Sequence, residues 1–125
     1  MTREQFSSFQ DILRSFNITE LHHGDCIGAD AQANDEAEDW GIYIVIHPPI
    51  NTTKRANRTG NWYHEPLPYL VRNKNIVNNT DMLIACPGED AEQLRSGTWS
   101  TVRYARKLGR PIKIVLPDGS IKTEK

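Results

Sequence analysis

At 125 residues the chain is long enough for one compact domain around a single core. A quarter of the residues are charged, and the two signs nearly balance at a formal net charge of −1, which argues against direct nucleic-acid binding and against docking on an acidic membrane. No apolar run reaches membrane-spanning length, and the polar start Met1-Thr2-Arg3-Glu4-Gln5 is no signal peptide.

Phe6, Phe9, Ile12, Leu13 and Phe16 recur at helical spacing and predict a helix over 3–16, stopped at Asn17. A short strand over 18–22 follows, then a loop over 23–28 punctuated by Gly24 and Gly28. Ala29 to Trp40 is rich in Ala and acids and predicts a helix ended by Gly41. The run Ile42-Tyr43-Ile44-Val45-Ile46 predicts a strand buried on both faces, ended by Pro48-Pro49. Residues 50–67 show no apolar periodicity and predict a long, mobile excursion, a length that in a compact domain is usually functional or disordered. A third helix is predicted over 69–79 with Pro68 in its first turn, then a strand over 81–86 and a loop over 87–95. A fourth helix over 97–108 closes at Gly109, the last strand spans 112–116, and Pro117-Asp118-Gly119 turns into a polar tail. Cys26 and Cys86, without an export signal, read as thiols in a reducing compartment, so the expected localisation is cytoplasmic.

Helices alternating with apolar strands predict a single α/β domain over 1–125: a Rossmann-like three-layer sandwich with a mostly parallel sheet of about four strands. Right-handed crossovers would bring the loops 23–28, 47–67 and 86–97 to the carboxyl ends of the strands, where such sheets bind ligands. The chain opens on a helix, whereas a doubly wound domain opens on a strand. Either that helix covers a sheet edge or the first strand is lacking.

Three segments carry candidate chemistry. In His22-His23-Gly24-Asp25-Cys26-Ile27-Gly28-Ala29-Asp30 the glycines permit close backbone approach to a ligand, and Asp25 is placed to accept from ribose hydroxyls. The plainer reading makes Asp25 a turn former and Asp30 a favourable charge in the first helical turn. A metal site from His22, His23, Asp25 and Cys26 is disfavoured, because adjacent strand residues point to opposite faces and no second cluster completes the set. In the second segment, Arg72 is a candidate for a phosphate with Asn73 beside it, Trp62 and Tyr63 for stacking or merely for pinning the loop, and Glu65 for proton chemistry. In the third, Arg95-Ser96-Gly97-Thr98 follows a strand and opens a helix, so unpaired N–H groups and the helix dipole favour an anion. Capping by Ser96 or Thr98 uses the same donors.

With these motifs in one order, the chain resembles the SLOG superfamily of Rossmann-like domains, which includes the DprA-like and LOG-like proteins. The resemblance spans nearly the whole chain. It rests on Gly24-Asp25 to Gly28-Ala29-Asp30, Pro48-Pro49, Arg72-Asn73, Asp81 to Ala85 followed by Ser96-Gly97-Thr98, and Gly109-Arg110-Pro111. It implies a nucleotide or nucleotide-derived ligand at the strand ends, held by Gly24, Asp25, Gly28, Asp30, Arg72, Asn73, Arg95, Ser96, Gly97 and Thr98, with no metal and no other cofactor. Members act as phosphoribohydrolases, nucleotide sensors or DNA-handling proteins. The hydrolases resemble Pro-Gly-Gly-x-Gly-Thr-x-x-Glu with a catalytic glutamate, and Thr101 stands at that position here. The expected function is therefore ligand binding. Hydrolysis of an N-glycosidic bond is the alternative, with Asp25, Asp30 or Glu65 as its carboxylate, and a regulatory module with a vestigial pocket is a third reading. The family opens on a strand with a Gly-Ser/Thr-Arg-type turn, and this chain starts just after the place where that strand would end. Either the start is truncated or the site is more open, and in the second case a homo-oligomer is expected to complete it.

Overall fold

Four helices and six strands form among residues 1–124, the residues that the computed structural model describes. In chain order they are α1 (Arg3–Ser15), β1 (Glu20–His23), α2 (Ala29–Asp39), β2 (Tyr43–Ile46), β3 (Trp62–Tyr63), α3 (Tyr69–Asn78), β4 (Leu83–Ala85), α4 (Gly97–Lys107), β5 (Ile112–Val115) and β6 (Ile121–Glu124). The protein is mixed α/β with two three-stranded sheets, ordered β1-β2-β3 and β4-β5-β6. The first sheet is parallel throughout; in the second, β4–β5 is parallel and β5–β6 antiparallel. The expected single sheet of about four strands is thus corrected: β1–β2 and β4–β5 each pair within their own sheet, and two segments without an apolar signature, β3 and β6, each add a third strand. None of the described helices is long and apolar enough to cross a membrane. No disulfide is present among the described residues.

The chain gathers into two compact units. One is continuous, residues 16–76; the other joins residues 1–15 to residues 77 onward, and the division falls inside α3.

The continuous unit is built on β2, which takes β1 on one side and β3 on the other. The helix α2 lies against β1 and β2. Its Ala31, Ala33 and Ala37 are buried, and residues this small let the helix backbone come close to the strands. Ala37, Ile44 and Ile46 form the core cluster, with Leu21 and Ile42 packed on it. Register pairs Leu21 with Ile44 and His23 with Ile46. Strand residues alternate between faces, so Leu21, His23, Ile44 and Ile46 share the side of the sheet that α2 covers.

In the other unit α1 begins with a reciprocal cap. Gln5 N–H donates to Thr2 Oγ1 at 3.0 Å, and Thr2 N–H donates to Gln5 Oε1 at 2.9 Å. The amide of the same Gln5 is buried and donates to the carbonyls of Pro87 and Val115. Phe9, Ile12 and Leu13 are buried along α1, but Phe16 lies beyond its end and is 42% exposed, so the predicted apolar stripe is shorter than its spacing suggested. Trp99, Val102 and Ala105 of α4 pack with Val77, Ala85, Ile112, Ile114 and Leu116. The expected polar tail is the strand β6, which a turn at 117–120 folds back on β5. Asp118 Oδ1 accepts from Ser120 N–H, and Arg106 of α4 grips Glu124 at 2.8 and 3.0 Å. Gly119 sits at φ 88°, and a Cβ there would crowd the Glu4 backbone.

Candidate functional site

In the continuous unit the ends of β1 and β2 are bound together by polar side chains. Arg72 of α3 is buried, and its Nη1 donates to the carbonyls of Gly24 (2.6 Å) and His47 (3.1 Å), one beyond each strand. Its Nε donates to Asn73 Oδ1 at 2.8 Å, and its guanidinium carbon lies 5.1 Å from the Tyr69 ring centre. Gly24 is required here, since a Cβ would overlap the Arg72 guanidinium. A buried guanidinium keeps its charge, so these carbonyls are what make its burial tolerable.

Asp25 follows at φ 57°, in the left-handed region that Asp tolerates better than most residues. Its side chain is fully buried and both oxygens accept: Oδ2 from Arg55 Nε and Oδ1 from Arg58 N–H, each at 2.9 Å. The main chain repeats this connection, with Ala56 N–H donating to Asp25 O at 2.7 Å and Ile27 N–H to Lys54 O at 2.9 Å. Asp30 Oδ2 accepts from the N–H groups of Gly24 and Cys26, both at 3.1 Å, and closes the turn from the first turn of α2. Gly28 precedes α2 at φ 96° and gives it no side-chain cap. The Cys26 thiol is pushed up by burial and by Asp30, so it remains protonated.

Segment 50–67, expected as a long, mobile excursion, is held at several points. Besides the Asp25 contacts, Arg58 forks onto Asp35 of α2 at 2.9 and 3.1 Å. Ile44 N–H donates to Asn61 Oδ1, Asn61 N–H donates to Ile44 O, and Trp62–Tyr63 pairs with Val45–Ile46. The Tyr63 hydroxyl accepts from Gly60 N–H and donates to the Arg58 carbonyl. A cavity of about 340 Å³ opens beside the 24–28 turn, lined by Cys26, Ile27, Asn51, Thr53, Lys54 and Tyr69.

Of the residues singled out in the sequence, this unit brings Gly24, Asp25, Asp30, Arg72 and Asn73 into one bonded network, with Gly28 at the start of α2. Glu65 is exposed and has no side-chain partner among the described residues. Trp62 and Tyr63 are exposed on β3. Asn51, Thr53, Lys54 and Tyr69 were not singled out. The first three lie in a segment without periodicity whose only signal was a polar stretch ahead of Pro68, and Tyr69 opens the predicted third helix.

Arg95, Ser96, Gly97 and Thr98 belong to the other unit. Ser96 caps α4, its Oγ accepting from Trp99 N–H at 3.3 Å. The N–H groups of Gly97 and Thr98 have no acceptor among the described residues. A Cβ on Gly97 would meet no atom within 4 Å. Arg95 is exposed without a side-chain partner among the described residues. Thr101 Oγ1 donates to Gly97 O at 2.9 Å. Among the described residues no group of three or more His, Cys, Asp and Glu is arranged to hold a metal ion.

Comparison with protein-family models, with curated proteins and with solved structures finds no match to this chain.

Proposed function

We propose that this chain binds a nucleotide or nucleotide-derived small molecule at the ends of β1 and β2, as a Rossmann-like domain of the SLOG type. The observation that carries the reading is the lining of the cavity beside the 24–28 turn. Tyr69 offers a ring for a base, Lys54 an ammonium for a phosphate, Thr53 and Asn51 hydrogen-bonding groups for a sugar, and Ile27 apolar contact. Gly24, Asp25, Asp30, Arg72 and Asn73 act in this reading as the frame that shapes the cavity, and Gly28 leaves the α2 start uncapped. The Gly97–Thr98 helix start, with Arg95 and Ser96 next to it, offers a separate anion site.

Binding is favoured over hydrolysis by the state of the carboxylates. Asp25 is committed to Arg55 and Arg58, Asp30 to two backbone donors, and Thr101 occupies the position of the family glutamate. Glu65 is the remaining acid, and base release from nucleoside monophosphates that is lost in Glu65→Gln would make the hydrolase the better reading. The direct test is calorimetry with nucleoside mono- and diphosphates against the intact chain. Lys54→Ala is expected to weaken binding by about tenfold or more, the usual worth of a charge-assisted hydrogen bond. Equal affinity in Lys54→Ala and Tyr69→Ala would refute the cavity as the site.

A further inference from the structure

The side of the β1-β2-β3 sheet opposite Leu21, Ile44 and Ile46 carries a row of titratable groups. Register sets His22 beside Val45 and Val45 beside Trp62, and alternate residues share a face. Glu20 and His22 of β1, His47 just past β2 and His64 just past β3 therefore lie on one side. Glu20 Oε1 is 2.9 Å from His22 Nε2, and His22 Nδ1 is 2.9 Å from His47 Nε2. His64 stacks on His47 with ring centres 4.2 Å apart and planes 11° from parallel. His47 is fully buried, whereas the Glu20 side chain is about half exposed.

We propose that Glu20, His22 and His47 form a proton relay: a proton from water enters at His47 Nδ1, which has no partner among the described residues and is not closed off from solvent, the proton on His47 Nε2 passes to His22, and the positive charge rests on His22 beside Glu20. Ionised Glu20 only accepts, so His22 Nε2 carries a proton before and after uptake. Before uptake His22 Nδ1 is therefore bare and accepts from His47 Nε2–H. After uptake the 2.9 Å bond runs the other way, from His22 Nδ1–H to His47 Nε2, and His47 keeps its one proton on Nδ1. One proton is gained, one crosses a single hydrogen bond, and His47 ends neutral in the opposite tautomer.

The surroundings explain why the charge does not stay on His47. Burial is the largest cause, followed by His64, His22, Arg72 and His23, and together they hold the His47 imidazole down to about 3. Arg72 is a fixed cation whose guanidinium donates to the His47 carbonyl. His64 is stacked rather than hydrogen-bonded, so no proton passes in that direction. His23 points away, its Nδ1 accepting from Asp25 N–H and its Nε2 donating to Asn34 Oδ1 at 2.8 Å. Glu20 is the only carboxylate bonded to the row among the described residues, and it touches His22.

The test is nitrogen-15 NMR of the histidine rings in the full chain between pH 5 and 8. His22 is expected to become imidazolium while His47 exchanges its Nε2–H pattern for Nδ1–H and never shows an imidazolium signature. In His22→Asn, His47 should hold one tautomer throughout. Because Glu20 is exposed, Glu20→Gln is expected to fold; it keeps the acceptor, removes the charge and should move the tautomer reversal to lower pH. A single His47 tautomer while His22 titrates, an imidazolium at His47, or a reversal at unchanged pH in Glu20→Gln would each overturn the relay.

Discussion

Asp25 and Arg72 stand out in the sequence as ligand groups, yet the structure spends both internally. Sequence marks a polar residue near a strand end; it does not mark whether the acceptor is a ligand or the chain itself. Gly24 was legible as a close-approach position, but the neighbour that approaches is Arg72. Replacing Asp25 by Asn leaves Arg55 beside a neutral partner in a buried setting. It is expected to destabilise the protein by about 3 kcal/mol, within the range for breaking a buried ion pair. Urea unfolding measures this, and a loss below about 1 kcal/mol would show that the pair is not a main tie. His47 gives a pH signature. The unfolded chain protonates it near 6.5 and the folded chain only near 3, so between these values the unfolded state binds more protons. Stability from this group is complete above about 6.5 and falls as the pH drops toward 3, by at most roughly 1.4 kcal/mol per unit. His47→Gln should flatten that slope; parallel unfolding curves for the two proteins across pH 4–7 would contradict the assignment.

At the scale of elements, α1 was legible from apolar residues at helical spacing, α2 from an Ala- and acid-rich run ended by Gly41, α4 from a helical pattern closed by Gly109, and β2 and β5 from short continuous apolar runs. β3 and β6 were not. Trp62–Tyr63 is exposed and is a strand only because β2 offers it a parallel partner; Ile121–Glu124 is polar and becomes a strand through the turn at 117–120. Strandedness here comes from pairing, which a window of sequence does not contain. The anchoring of 50–67 has a measurable outcome. The amides of Ala56, Arg58, Asn61 and His64 all donate hydrogen bonds, so they should exchange slowly even without ligand. Slowing on nucleotide addition is expected at 51–54 rather than across the whole segment. Fast exchange at Ala56 and Arg58 in the unliganded protein would restore the expectation of a mobile excursion. For α4, Gly97→Val introduces a side chain into open space at a helix start. It should leave the melting temperature nearly unchanged and abolish binding of inorganic phosphate there; phosphate affinity equal to that of the intact chain would rule this helix start out as an anion site.

For the whole molecule, α/β class was legible from the alternation of helix and strand. The division into two three-stranded sheets was not, because it depends on which edges pair. We expect self-association through residues 16–76, where the edge strand β3 exposes Trp62 and Tyr63 and α3 exposes Leu70 and Val71. The α1 stripe adds nothing to that expectation, since Phe9, Ile12 and Leu13 are already covered. Light scattering that finds a single copy at roughly tens of micromolar, against the usual affinity of a modest interface, would refute it. The reach of Gln5 and Thr2 to Val115 and Pro117 bears on birth as well as on stability. A ribosome adds about 5–20 residues each second. The first helix is therefore made seconds before its acceptors at Val115 and Pro117, whereas Asp25 and Arg72 find their partners within 48 residues along the chain. The inner stretch of the chain can be finished while the outer one still waits for its final hairpin.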